Sequence, residues 1–76
     1  MDLVIDRGQS RLGLEFKAAS SVEPRDWSHL LQARRDGIVD HGFVVHMGGR
    51  SFPAADGVDV MAAVQLLAWE QRGSRT

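Results

Sequence analysis

The sequence predicts a small α/β (α+β) domain of order β-β-α-β-(β)-β-α, and three observations carry that reading. Two runs near the start alternate apolar and polar residues in step, as strands do. A proline-led stretch in the middle places apolar residues at helical spacing. Two runs rich in β-branched residues follow it, 42–47, which glycines bound, and 58–61. Strands interleaved with helices give a mixed sheet with helices packed on it.

The first pair is a hairpin. In residues 2–6, Leu3 and Ile5 share one face while Asp2, Val4 and Asp6 share the other. In residues 11–17, Leu12, Leu14 and Phe16 oppose Arg11, Gly13, Glu15 and Lys17. Gly8 permits positive φ, so residues 7–10 form the turn. A loop of two residues or of four gives the same register, with Asp6 facing Arg11, Val4 facing Gly13 and Asp2 facing Glu15. Residues 18–23 connect to a helix expected over 24–36. Pro24 suits its first position, Asp26 suits the positive end of its dipole, and Glu23 at the cap is longer than that position prefers. Trp27, Leu30, Leu31 and Arg34 make one stripe, and Gly37 ends the helix.

Residues 42–47 read as a buried strand. Residues 50–53 read as a short edge strand or turn, because Pro53 lacks a ladder donor. Residues 54–57 are expected to turn, 58–61 to form a strand and 63–71 a second helix, with helix throughout 60–70 as the alternative. Residues 72–76 look like a frayed tail.

With 76 residues the chain is one domain, residues 1–76. A domain of this size buries only about 60% of the surface its unfolded chain exposes. It has no cysteine, which rules out disulfides and thiolate metal sites and fits a reducing, cytoplasmic setting. No apolar run approaches membrane-spanning length, so no membrane partner is expected. Nine basic residues against ten acidic ones, net charge −1, exclude a protein that holds nucleic acid by bulk charge alone.

Chemistry concentrates at the open end of the hairpin. The register sets Asp2 opposite Glu15, with Lys17 two residues further along the same face. Directly opposed like charges are destabilising, and a divalent cation is the natural group to offset them. Gly13 is expected to leave open space on that face. Asp6 and Arg11 form an ordinary cross-strand pair. His29, His41 and His46 read as non-ligands, since His41 and His46 point to opposite faces of one strand. Trp27 and Trp69 read as core or interface anchors, and Ser20 and Ser21 as turn formers.

Asp2, Glu15-Phe16-Lys17 and the strand–helix–strand that follows resemble the PD-(D/E)XK nuclease superfamily. Together with Pro24-Arg25-Asp26, the run from Gly42 to Gly48 and the run from Phe52 to Gly57, they are similar to the C-terminal nuclease-like domain of bacterial and archaeal AAA-type ATPases, over nearly the whole chain. The resemblance implies a restriction-endonuclease-like core, here without the helix that normally precedes the first strand. It implies Mg2+ held by Asp2, Glu15 and the carbonyl of Phe16, with Lys17 orienting the attacking water. It implies nucleic acid as substrate and an AAA-type ATPase as partner. A sheet face left bare by the absent helix leads to the expectation of a homodimer. Two functional classes stand: a metal-dependent phosphodiesterase or its inactive remnant, and a non-catalytic interaction or dimerisation module.

Overall fold

The computed structural model describes residues 1–65 and 68. Its sheet is built from β1 (Leu3–Asp6), β2 (Arg11–Lys17), β3 (His41–His46), β4 (Phe52–Ala55) and β5 (Val58–Ala62). The spatial order is β1-β2-β3-β5-β4. β1 and β4 pair antiparallel with their neighbours, while β2, β3 and β5 run parallel. The fold is thus the mixed-sheet α+β domain that the sequence predicts.

The hairpin takes the expected register, with Val4 opposite Gly13 and Asp6 opposite Arg11. Gly8 sits at φ 78 and donates to Asp6 Oδ1 at 3.0 Å, and the Arg7 amide donates to the Ser10 carbonyl at 2.8 Å. The side chain of Asp6 therefore closes the turn that its strand enters.

Parallel neighbours cannot be joined by a tight turn, so the β2–β3 connection crosses the sheet through a helical segment. That segment is not the continuous helix expected over 24–36. Pro24–Asp26 is a single 3-10 turn, and the helix α1 spans Ser28–Arg35. Trp27 stands between them at φ −115, ψ 3, outside helical geometry. The cause is local. The Asp26 carboxylate accepts the Glu23 amide at 2.7 Å, and the Trp27 amide returns to the Pro24 carbonyl, which closes a tight turn before α1 begins. Gly37 at φ 76 ends the segment, and the Ile38 amide bonds the Ala33 carbonyl.

α1 covers one face of the sheet. Leu30, at 0% exposure, packs against Val44, Val58 and Val60, with Trp27, Leu31 and Val22 at the margin. Each such side chain contributes about 1.5–3 kcal/mol by leaving water. By alternation and register the covered face also carries Gly13, Glu15, Lys17, Gly42 and His46. The face carrying the charges is therefore the helix side, and the open space expected at Gly13 is filled. A Cβ there would meet Met1 Sδ at 2.6 Å, Val39 Cγ1 at 3.1 Å and Leu30 Cδ2 at 3.2 Å. The opposite face carries Leu3 and Phe16, 46% and 50% exposed.

Two boundaries move. β4 starts at Phe52 and continues through Ala55, so the turn shrinks to Asp56-Gly57, with Gly57 at φ 78. Pro53 lies on this edge strand beside an irregularity in the ladder, the tolerated setting for a residue without an amide hydrogen. Residues 63–65 are helical, which agrees with the start of the helix expected over 63–71. The rest of that helix, except residue 68, and the tail at 72–76 lie outside the described residues, as does Trp69.

Candidate functional site

Glu15 and Lys17 leave β2 on the same face because they are two residues apart in a strand. The 3-10 turn folds back over the carboxyl end of β2. Between them lies a cleft of about 240 Å³ lined by Glu15, Lys17, Arg25, Asp26, His29 and Val44. Val44 is its floor, opposite Glu15 in the β2–β3 ladder.

Lys17 is held. Its Nζ donates to Asp26 Oδ2 at 2.5 Å, with the two side chains 26% and 18% exposed. The same carboxylate oxygen accepts the Glu23 amide. Asp26 is thereby kept below the ordinary range of an aspartate, first by the hydrogen bond from Lys17 and then by the Glu23 amide, with partial burial working the other way. Arg25 reaches the cleft from an exposed position and pairs with Glu23 at 2.9 Å. A pair this exposed holds its arginine weakly, by less than about 1 kcal/mol.

Glu15 Oε1 is buried and accepts no hydrogen bond; the Met1 amino group lies 3.1 Å away, a contact of charges without donor geometry. Asp2 continues the hairpin beyond β1. Its amide donates to the Leu14 carbonyl at 2.9 Å, and its Oδ2 accepts the Phe16 amide at 2.7 Å. The carboxylate is thus drawn to the main chain at Phe16, between Glu15 and Lys17. The Phe16 side chain points away from the cleft, onto the other face.

The structure accordingly gathers Glu15 and Lys17 in one cleft and fastens Asp2 to the Phe16 backbone, outside the residues that line it. Asp26, Arg25 and His29 join them unannounced by the sequence, where Asp26 reads only as a favourable charge in a helix's first turn. The available signal was the Glu23-x-x-Asp26 capping pattern, which fixes a carboxylate at the start of the turn following a strand that ends in lysine. Two of the histidines have partners within the chain. His46, 3% exposed, donates from Nε2 to the Arg50 carbonyl at 2.7 Å and accepts the Gly48 amide on Nδ1 at 3.0 Å, so both ring nitrogens are spent. His41 pairs with Asp59 at 2.7 Å on the far face.

Among the described residues no three His, Cys, Asp or Glu side chains converge as a metal cluster. A two-carboxylate site with a carbonyl is a different donor set. Mg2+ needs few protein oxygens because it retains water. The buried Glu15 Oε1, which faces a cationic amino group at 3.1 Å, and the Asp2 carboxylate against the Phe16 backbone supply oxygen donors of the kind such an ion takes.

Fold and cleft together define a small α+β domain with a carboxylate–lysine hairpin under a crossover helix. The chain belongs to the family described as a domain of unknown function, DUF4143, whose profile matches residues 1–66. Neither a curated protein nor a solved structure matches it. No helix among the described residues is long and apolar enough to cross a membrane.

Proposed function

We propose that the cleft is a divalent-metal site of the PD-(D/E)XK type, serving hydrolysis of phosphodiester bonds in nucleic acid. The observation that carries this reading is the pairing of Glu15 and Lys17 in one cleft while Asp2 is tied to the amide of the residue between them. Glu15, Asp2 and the Phe16 carbonyl would hold Mg2+. The ion, when bound, lowers the pKa of a ligated water and neutralises charge at phosphorus. Glu15 Oε1 accepts no hydrogen bond and faces the Met1 amino group at 3.1 Å, so an ion there would take over a charge contact that the chain already makes. Lys17 presents a compact positive charge beside it, suited to a phosphate oxygen or a water. Arg25 and His29 at the mouth suit the flanking phosphates of a polyanion, supplying locally what the near-neutral chain lacks overall.

The test is a Mg2+ and Mn2+ titration followed by amide NMR, alongside cleavage of labelled DNA and RNA. Saturable shifts at Asp2, Glu15 and Phe16 are expected, with Mn2+ broadening the same signals. Cleavage is expected to disappear in Glu15→Gln. Unmoved signals through the millimolar range overturn the metal site.

A second reading is an interaction module, self-associating or docked on an AAA-type ATPase. It is favoured by the exposure of Leu3 and Phe16 on the face opposite α1. Light scattering across a concentration series decides its self-association arm: a dimer supports it, and a monomer at high concentration counts against it.

A further inference from the structure

Lysine carries a long, freely rotating side chain, and ordering it costs about 2 kcal/mol of rotamer entropy. A lysine that must present its ammonium at one point in a cleft therefore needs something to hold it. In this structure the holder is visible. Asp26 Oδ2 receives Lys17 Nζ at 2.5 Å from one side and the Glu23 amide at 2.7 Å from the other. The second bond matters most. It fixes the carboxylate to the main chain of the 3-10 turn, so the lysine is tied to backbone and not to another mobile side chain. The ammonium has three hydrogens, and Asp26 accepts one, which leaves two to donate into the cleft.

We infer that Asp26 is the positioning residue of Lys17. It latches the end of β2 to the 3-10 turn and holds the ammonium over the cleft, ready for a phosphate oxygen or a water. The inference rests on the proposed phosphoryl chemistry for what Lys17 does, but not for how Lys17 is held. Because an Asn keeps an oxygen for the Glu23 amide, Asp26→Asn removes the ionic latch and leaves the turn's own hydrogen bond in place. Asp26→Glu restores the charge on a longer arm.

The experiment reads the latch directly and its use separately. In NMR of lysine side-chain ammonium groups, the wild-type protein is expected to show a resolved, ordered Lys17 signal. That signal is expected to average out in Asp26→Asn and to return in part in Asp26→Glu. Arg25→Gln, which removes a neighbouring charge, is expected to leave it in place. In the cleavage assay with Mg2+ or Mn2+, Asp26→Asn is expected to lower kcat at least tenfold with KM within about twofold, as loss of positioning does. An ordered Lys17 signal in Asp26→Asn overturns the latch. A variant in which KM alone changes shows Asp26 acting on substrate binding, which overturns the positioning role. Absence of cleavage in the wild-type protein counts against the nuclease reading and leaves the ammonium signal to decide the latch.

Discussion

The Phe16 amide donates to Asp2 Oδ2 at 2.7 Å, while the Asp2 amide donates to Leu14 at 2.9 Å. One residue is thus sewn to β2 by both its backbone and its side chain, beyond the end of β1. Asp2→Ala leaves the Phe16 amide without its acceptor and is expected to cost about 0.5–1.5 kcal/mol, the net value of such a bond. Asp2→Asn keeps an acceptor oxygen and is expected to stay within about 0.5 kcal/mol of wild type. Urea midpoints and hydrogen exchange at Phe16 check this. Equal losses in both variants would show that charge, not the bond, anchors Asp2.

Gly42 is needed for close approach. A Cβ there would meet Leu30 Cβ at 2.9 Å, in contact with a fully buried helix residue. Gly42→Ala is expected to destabilise by about 1–3 kcal/mol through overpacking. Gly49 has nothing within 4 Å of its ideal Cβ, so Gly49→Ala is expected to be neutral or to stabilise by up to about 1 kcal/mol. Thermal melts of the two variants check the contrast.

His46 ties the 47–50 turn to the sheet from a buried position. His46→Ala strands the Gly48 amide and the Arg50 carbonyl and is expected to cost about 1–3 kcal/mol. Amide exchange at Gly48 is expected to rise with it. A variant of wild-type stability would show that water satisfies both groups.

The Asp26 pair predicts a dependence on pH. Its carboxyl titrates lower in the folded chain than in the unfolded one. Its stabilisation is therefore complete above the ordinary aspartate range and is lost as pH falls through the lowered value. The gap between wild type and Asp26→Asn in urea midpoint is expected to be open at about pH 5 and to close toward about pH 2. A gap that does not vary across that range contradicts the assignment.

How much of this was legible in the sequence depends on the range of the force involved. The hairpin register was readable because alternation has a period of two and Gly8 marks the turn; Asp6 lands opposite Arg11 as expected. A helical crossover places β3 beside β2, and Leu12 through Lys17 pair along its whole length. The break at Trp27 was not readable. The Glu23–Asp26 bond and the return of the Trp27 amide to Pro24 form a 3-10 turn whose residues also suit the start of a helix. The Lys17 contact to the same carboxylate comes from nine residues away on a different element. The buried state of Gly13 was missed for a related reason. The glycine's lack of a side chain reads as open space, whereas it is what admits Leu30 and Val39. Glu15 and Lys17 could be named in advance, but the groups across the cleft from them come from the turn and α1, and only folding brings them there.

Gly13 and Gly42 are cross-strand partners, and both sit under Leu30. Two residues further along the same strands, Glu15 and Val44 stand as the next pair and line the cleft. The sheet surface beneath the helix is therefore a step: a tread where two side chains are missing, then a riser where they resume. The helix settles onto the tread, and the hollow in front of the riser is where the charged groups meet. The cleft owes its shape to two absent methyl groups as much as to the residues that line it.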